Sequence, residues 1–330
     1  MNNLFTPTFF LKNRHIQTLY SSLFTRCPWG RSIPTHTFDV EKFELSDGDF
    51  IECYWYNKRD KTNNKPIVLL FHGLTGSYKS PYILGTMSEL DKNGYDSVVV
   101  HFRSSSGVMN KKPNSYHSGK TDDAMEFIKS LKVKYSQIKI FAIGYSLGGN
   151  VLLKLLGEIA DELPICAAIS ISAPMQLDVC SNQMNRGFSK FYQYLLLKDL
   201  NRLLEKKYEM HDMKSLINLD KKDVKKLSTF WEFDDAYTAP IHGFASAQDY
   251  YSKSSSKQFL KHIKTNTLVI HSIDDPFTTP AILPKEDELS PYIKLEIYQN
   301  GGHVGFIGGS LFKPKYWLEE RIINYFHEFV

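Results

Sequence analysis

The sequence predicts an α/β fold in which helices flank a mostly parallel central sheet. Short apolar runs rich in β-branched residues recur along the chain, and stretches of helical periodicity lie between most of them. Runs without polar alternation are typical of strands buried on both faces of a parallel sheet. A series of strand, helix and strand then favours a doubly wound sheet with helices on both sides.

The predicted strands begin with two segments at 38–45 and 49–56, which alternate loosely around Ser46-Asp47-Gly48 and predict an antiparallel hairpin. The parallel part of the sheet is predicted from five further runs. They lie at 67–71, 97–102, 138–143, 165–171 and 267–271, and a β-like stretch follows at 293–298.

The predicted helices have apolar residues at the spacing of one helix face. The period of Ala124, Phe127, Ile128 and Leu131 follows a candidate N-cap at Thr121, and residues 147–159 repeat the pattern. Between about 174 and 262 the strand-helix rhythm stops, and helical stretches rich in Leu, Tyr and Lys take its place. We interpret residues 1–330 as one domain, with 174–262 as a helical lid inserted in it and 314–330 as a terminal amphipathic helix.

The composition is that of a globular protein and narrows its class. The chain has 330 residues, a formal charge of +4, 42% hydrophobic and 23% charged residues, so disorder and fibrous structure are excluded. This charge does not indicate a nucleic-acid partner. No apolar run exceeds five residues, and the N-terminus lacks the pattern of a signal peptide, so we expect no transmembrane segment and a cytoplasmic location. Four scattered cysteines without a CxxC pair predict reduced, structural thiols.

The main chemical motif is Gly144-Tyr145-Ser146-Leu147-Gly148, between a predicted strand and a predicted helix. A serine that projects from a tight strand-to-helix turn needs small residues two positions before and after it, since side chains there would meet the neighbouring backbone. Glycines that merely let the helix approach the sheet are the alternative. The strand-turn-helix context favours Ser146 as a nucleophile.

A serine nucleophile needs a base and a carboxylate that orients the base. Asp274-Asp275-Pro276 follows the strand at 267–271, and Gly301-Gly302-His303 follows the stretch at 293–298. Both positions lie at carboxyl ends of strands, where open α/β sheets place their sites. The order predicts a triad of Ser146, one of the two aspartates and His303, and the spacing does not choose between Asp274 and Asp275.

A third motif, His72-Gly73-Leu74-Thr75-Gly76, directly follows the strand at 67–71. Acyl transfer places negative charge on a carbonyl oxygen, which backbone N–H groups stabilise. In this arrangement one donor comes from the loop after that strand and the other from the residue after the nucleophile. We therefore expect the amides of Leu74 and Leu147 to form an oxyanion hole.

Together these motifs resemble the YheT-like esterases, a branch of the α/β hydrolases. The similar segments span nearly the whole chain, from Asn13-Arg-His-Ile-Gln-Thr18 through His101-Phe-Arg-Ser, Tyr116-His-Ser-Gly, Gly144 to Asn150, Phe233-Asp-Asp, Ile241-His-Gly and His271 to Phe277, as far as Gly301 to Gly309. The resemblance implies an α/β-hydrolase fold and a carboxylic-ester hydrolase, and places the acid on Asp275. One departure is Arg103-Ser-Ser-Ser106, where a small pair such as Gly-Cys is expected after the arginine.

The sequence thus predicts a serine esterase for a small-molecule ester, with short- to medium-chain acyl groups and no cofactor or metal. Acyl transfer, thioester or lipid hydrolysis, and a binding module without turnover are the alternatives, since specificity lies in the pocket. We expect His101, His117, His242 and His271 to be structural or pocket-lining, and Asp234-Asp235 to cap or pair.

Three features leave two interpretations open. The Tyr192, Tyr194 and Leu195–Leu197 group could line an acyl pocket or pack a helix on the core. The apolar N-terminal residues, Phe5, Phe9, Phe10, Leu11, Ile16, Leu19, Leu23 and Phe24, could contact a membrane surface, although packing on the domain is favoured. Residues 181–230 carry 11 Lys and Arg against 6 Asp and Glu, which favours a solvated face over one that attracts anionic lipids or acyl carriers.

Overall fold

A computed structural model describes residues 5–23, 36–59, 64–160, 162–310 and 312–330. Eight strands form the central sheet in the order β1-β2-β4-β3-β5-β6-β7-β8, and a separate pair, β9 and β10, forms a small antiparallel sheet. The strands are β1 (Asp39–Glu44), β2 (Phe50–Trp55), β3 (Ile67–Phe71), β4 (Asp96–Val100), β5 (Ile140–Tyr145), β6 (Ile165–Ile171), β7 (Asn266–Ser272), β8 (Ile293–Tyr298), β9 (Ile307–Ser310) and β10 (Lys313–Tyr316).

The helices follow the strands along most of the chain. They are α1 (Arg14–Leu23), α2 (Pro81–Lys92), α3 (Asp122–Lys134), α4 (Leu147–Ile159), α5 (Leu177–Met184), α6 (Ser189–Met210), α7 (Met213–Ile217), α8 (Phe230–Phe233), α9 (Ala239–His242), α10 (Ala247–Ser254) and α11 (Trp317–Phe326). Short 3₁₀ turns lie at Phe9–Leu11, Lys221–Lys226, Ser256–His262, Pro280–Ile282 and Glu286–Glu288, and a π-helical turn at Asp234–Thr238.

The sheet confirms the predicted fold class. β1 pairs with β2 and β2 with β4 in the antiparallel sense, whereas every pairing from β4 through β3 to β8 is parallel. Because parallel strands end at one edge, the loops that follow β3, β5, β7 and β8 meet there. All four predicted chemical motifs lie in or beside those loops.

Strand β3 shows why the sheet is covered on both faces. Its residues alternate between two cores: Leu69 and Phe71 pack with α3 and α4, whereas Val68 and Leu70 pack with α2 and α11. All five residues of β3 are buried. The continuous apolar run that predicted a doubly buried strand thus reflects two helical layers.

Two helix termini differ from the sequence expectation. Thr121 precedes α3, but its hydroxyl makes no capping bond and donates to Glu158 instead. The terminal helix begins at Trp317, because Lys313–Tyr316 forms β10 and pairs with β9. Of the four cysteines, Cys27 lies outside the described residues, and Cys53, Cys166 and Cys180 are free thiols.

Between β6 and β7 the described chain is helical, and we call residues 174–262 the inserted segment. It has its own apolar cluster, built mainly from α6, α7 and the turn at Asp234–Thr238. Within the described residues, no helix, α6 included, is both long enough and apolar enough to cross a bilayer.

A buried amine fastens the inserted segment to the sheet domain. Lys207 of α6 is fully buried and donates to Asn110 Oδ1 and to the Lys112 carbonyl oxygen, both at 2.6 Å. Burial lowers the pKa of Lys207 to about 8. Asn110 in turn donates to Asp49 at 2.6 Å, so the amine ends in a polar network that reaches the β1-β2 hairpin.

Candidate active site

Ser146 lies at the turn between β5 and α4, where the backbone takes an uncommon conformation. Its φ of 51° and ψ of −120° are rare for a residue with a side chain. A Cβ on Gly144 would overlap the backbone of Gly148 and Gly149, and one on Gly148 would overlap the carbonyl oxygens of Phe71 and His72. The glycines are thus required by the close approach of α4 to β3 and β5, as the motif predicted.

His303 joins Ser146 to Asp275. Its Nε2 lies 2.9 Å from Ser146 Oγ, and its Nδ1 lies 2.8 Å from Asp275 Oδ2. The Asp275 side chain is fully buried and that of His303 is 9% exposed. The ring of Phe277 stacks on the imidazole at 3.9 Å, so His303 has little freedom to turn. The three predicted residues are therefore brought together in the order Ser, His, Asp.

The two adjacent aspartates have different contacts. Asp275 Oδ1 accepts from the Phe277 amide at 2.8 Å, which fixes the carboxylate that faces His303. Asp274 Oδ1 instead accepts from the Gly302 amide at 2.9 Å, and its Oδ2 accepts from the Asn300 side-chain amide at 3.4 Å. Asp275 therefore orients the imidazole ring, whereas Asp274 binds the backbone of the residue before His303.

Helix α1 fixes the loop that carries His303. The Thr18 hydroxyl oxygen accepts from the His303 amide at 3.0 Å. Gln17 is fully buried, donates to the carbonyl oxygens of Leu11 and Ile307, and accepts from the Ile307 amide at 2.7 Å. Gln17 and Thr18 were not predicted as site residues from the sequence. The only signal was their place in the Asn13-to-Thr18 segment of the family resemblance.

The loop after β3 presents an amide to the same site. Its neighbours are occupied: the Gly73 amide donates to Tyr82 Oη at 2.9 Å and the Thr75 amide to Tyr116 Oη at 3.0 Å. Ser146 donates its own amide to Ile171 at 2.8 Å. Among the described residues, the amides of Leu74 and Leu147 have no acceptor, and both residues line the cavity above Ser146. Two amide donors without an acceptor thus belong to residues that line the cavity with Ser146.

A cavity of about 400 Å³ opens over Ser146 and His303. Its walls come from the loop after β3, from α1 and from the inserted segment, and most of its lining is apolar. The inserted segment supplies Leu177, Met184, Tyr192, Leu195, Leu196, Leu200, Phe230 and Phe233. A pocket with apolar walls and a few convergent polar groups suits a small organic ligand.

The Tyr192-to-Leu197 group divides between the two roles left open by the sequence. Tyr192, Leu195 and Leu196 line the cavity, whereas Leu197 packs in the apolar cluster of the inserted segment. Tyr194 is 59% exposed and belongs neither to the cavity lining nor to this cluster.

The Asp234-Asp235 pair makes hydrogen bonds in the π-helical turn. Asp235 accepts from the Ala247 amide at the start of α10. Asp234 lines the cavity and accepts from the hydroxyls of Thr238 and Tyr251, each at 2.6 Å. Desolvation raises the pKa of this half-buried carboxyl to about 6, although the bonds from Thr238 and Tyr251 lower it.

The other histidines occupy structural positions, and one of them lines the cavity. His101 bonds to the Glu52 carbonyl oxygen and His271 to the Thr278 hydroxyl. His117 lines the cavity and packs against His242 with ring centres 4.5 Å apart. Burial lowers the pKa of His242 to about 4. Among the described residues, no three His, Cys, Asp or Glu side chains form a group that could hold a metal ion.

The Arg103-Ser-Ser-Ser106 departure lies in a buried polar network. Arg103 is 2% exposed, pairs with Asp123 through two bonds of 2.7 Å, and contacts Asp47 and Asp49. The Ser104 hydroxyl donates to Asn110 at 2.6 Å. Serine at 104 thus takes part in the network that also receives Lys207.

Comparison with known proteins gives one consistent picture. The sequence model of the family described as "alpha/beta hydrolase fold" matches residues 66–310. A protein of Escherichia coli (strain K12) named "Putative esterase YheT" is 40% identical over 96% of this chain and 91% of its own length. "Phospholipase ABHD3" of Homo sapiens is 28% identical over 86% of this chain and 70% of its own length. Among solved structures, the esterase Pf2001 of Pyrococcus furiosus superposes with a TM-score of 0.58, at 17% identity, over 89% of this chain and 91% of that one.

Proposed function

The chain belongs to the α/β hydrolases, in the branch of the YheT-like esterases, and from this we propose that it is a serine hydrolase of carboxylic esters. The observation that carries the proposal is the line of contacts from Ser146 Oγ through both nitrogens of His303 to Asp275, at 2.9 and 2.8 Å. A hydroxyl, an imidazole and a buried carboxylate in this order can generate an alkoxide-like nucleophile at neutral pH.

In the proposed reaction, Ser146 Oγ attacks the carbonyl carbon of the ester while His303 Nε2 takes the hydroxyl proton. The tetrahedral intermediate expels the alcohol, which receives the proton from His303, and an acyl-serine remains. Water then attacks this acyl group with His303 again as the base, and the carboxylic acid leaves. Asp275 keeps Nδ1 protonated and stabilises the imidazolium that forms in each half.

Negative charge on the former carbonyl oxygen would fall beside the amides of Leu74 and Leu147. Each donor of this kind contributes about 100- to 1000-fold in rate. Because Tyr82 and Tyr116 accept from the flanking amides, the loop holds its conformation without using the Leu74 donor. The site is organised before substrate binds, which is the condition for electrostatic stabilisation of a transition state.

The inserted segment acts in this proposal as a lid over the pocket, since it supplies most of the apolar wall. We infer short- to medium-chain acyl esters as the substrates. A second candidate is lipase-type hydrolysis of longer acyl esters, favoured by the apolar lining and by the name of the human relative, a phospholipase.

Labelling with a fluorophosphonate and an ester chain-length series test the proposal. We expect the wild-type protein to be labelled at Ser146 and to hydrolyse p-nitrophenyl esters, and Ser146→Ala to lose both properties while its circular dichroism is unchanged. Undiminished turnover by Ser146→Ala would refute the assignment. If the rate of hydrolysis is highest for esters with long acyl chains, the lipase-type candidate is favoured over the short-chain esterase.

A further inference from the structure

Exposed apolar side chains concentrate beside the mouth of the cavity. Each is between 39% and 59% exposed, and we call them the mouth patch: Ile16 on α1, Phe188 directly before α6, and Phe191, Tyr194 and Leu195 on α6. Large apolar residues scattered singly on a surface need no explanation, but a contiguous group beside a site marks an interaction surface.

The patch is contiguous because α1 and the start of α6 touch. The ring of His15 lies 4.6 Å from that of Phe188, and His15 Nδ1 is 3.1 Å from Tyr192 Oη. Along α6 the exposed positions recur at intervals of three to four residues, so they share one helix face. The apolar N-terminal residues were predicted to pack against the domain. Phe5 and Leu11 are buried, Phe9, Phe10 and Ile16 are exposed, and Phe24 lies outside the described residues.

The patch continues into the cavity. Leu195 is both 41% exposed and part of the cavity wall. From α1, Thr18 and Leu19 also line the cavity. The patch and the cavity that contains Ser146 thus share Leu195, and the cavity lining is mostly apolar.

The surroundings of the patch are basic. The exposed cations are Lys12, Arg14, Arg186, Lys190 and Lys198, and the segments 5–23 and 185–198 contain no Asp or Glu. Outside these segments, Asp199 is next to Lys198, the charge of Asp274 acts on His15, and the charge of Asp275 acts on Tyr192. Five exposed cations against these three carboxylates leave the surroundings of the patch predominantly positive.

We propose that the mouth patch docks the protein on an anionic phospholipid bilayer. Aromatic and aliphatic side chains enter the boundary between headgroups and acyl chains, and lysine and arginine attract the anionic headgroups. A second copy of the chain fits the surface less well, because two patches face to face would bring two basic rims together. The inference rests on the proposed function only for its purpose, which is to bring esters from the bilayer to Ser146.

Vesicle cosedimentation tests the docking without relying on catalysis. Full-length Ser146→Ala is mixed with vesicles of phosphatidylcholine, with and without phosphatidylglycerol, over a range of NaCl concentrations. We expect binding to the vesicles that contain phosphatidylglycerol and its loss at high salt. Phe191→Ser with Tyr194→Ser, and separately Lys190→Glu with Lys198→Glu, should each weaken binding about tenfold or more.

Matched substitutions elsewhere on the surface serve as controls. Val133 and Tyr292 are exposed apolar residues of the sheet domain, and Lys129 and Lys261 are exposed lysines away from the patch. Val133→Ser with Tyr292→Ser, and Lys129→Glu with Lys261→Glu, should bind like the parent. The two double variants of the patch, Phe191→Ser with Tyr194→Ser and Lys190→Glu with Lys198→Glu, are also made in the protein that retains Ser146. There they should hydrolyse a soluble short-chain ester at the wild-type rate.

Three results would overturn the proposal: equal binding to both kinds of vesicle at all salt concentrations, unchanged binding by the Phe191 and Tyr194 double variant, or a dimer in solution that this variant dissociates. Absence of esterase activity in the wild type would refute the proposed function instead, and leave the vesicle result standing.

Discussion

Asp274 and Asp275 are adjacent in sequence yet hold different parts of one loop. Asp274 accepts from the backbone of Gly302 at 2.9 Å, and Asp275 accepts from the ring of His303 at 2.8 Å. The pair therefore fixes both the position of the loop and the orientation of the imidazole. The family resemblance had placed the acid on Asp275, and these contacts give a physical reason for that choice.

We expect Asp275→Asn to lower kcat by about 1000- to 10000-fold, because the amide cannot hold the imidazole in the required tautomer. Asp274→Asn should lower kcat less than about tenfold, since its amide oxygen can still accept from the Gly302 amide. Steady-state kinetics on a p-nitrophenyl ester will measure both. Equal losses in the two variants would contradict the assignment.

The close approach of α4 to β3 predicts a large effect of one methyl group. In Gly148→Ala the new Cβ overlaps two carbonyl oxygens, so we expect the free energy of unfolding to fall by about 2–3 kcal/mol and hydrolysis to be lost. Gly308→Ala is the control, because its Cβ would have its nearest neighbour at 3.8 Å. Urea titration followed by fluorescence will measure the difference. Similar stabilities of the two variants would exclude the steric argument.

The buried amine of Lys207 predicts a local effect on the inserted segment. Lys207→Met leaves Asn110 Oδ1 and the Lys112 carbonyl without this donor, at a cost of about 2–4 kcal/mol. Lys206→Met changes an exposed neighbour on the same helix and should have little effect. Hydrogen exchange should show faster exchange across α6 only in the first variant. Protection equal to that of the wild type would show that the amine is dispensable.

The carboxyl of Asp234 predicts a pH dependence of stability. Its pKa is raised to about 6 in the folded protein, above the ordinary 3.8, so the folded state binds more protons between these values. The stabilisation is complete below pH 3.8 and is lost as pH rises through 6. A full shift would correspond to about 3 kcal/mol, and exposure to the cavity should reduce this to about 1–2 kcal/mol.

Asp234→Asn should remove this slope, because an amide does not titrate. We therefore expect the variant to gain stability relative to the wild type as pH rises from 4 to 7. Urea titrations at both ends of this interval will show the change. Parallel pH profiles would indicate that the carboxyl is ionised at its ordinary pKa.

The parts of the fold that were predicted from sequence are those with a local signal. Strands β3 and β6 occur at the predicted bounds, since each is a continuous apolar run closed by turns. The β9-β10 pair was missed because Ile307-Gly-Gly-Ser and Lys313-Pro-Lys-Tyr show no alternation. Ile307 and Tyr316 of this pair pack with Leu11 and Tyr20, which are distant in sequence.

In the candidate site, too, the residues with a local sequence signal were predicted and those without one were not. Ser146, His303 and the Asp274-Asp275 pair follow strand ends in a recognisable order, so they could be predicted from the sequence, and the family resemblance chose Asp275. The support from Thr18 and Gln17 has no periodic signature, since it consists of hydrogen bonds between residues nearly the whole chain apart. The separation of Gln17 from Ile307 is 290 residues.

The hydrogen bonds from Gln17 and Thr18 to residues 303–307 have a consequence for biosynthesis. Helix α1 is synthesised before the loop that it holds, since Thr18 and His303 are 285 residues apart in the sequence. Because contacts so distant in sequence are slow to form, alignment of the imidazole should be among the last events of maturation. Nascent chains that end between β8 and residue 303 should have all strands of the central sheet and still lack hydrolysis, because the imidazole has not been made.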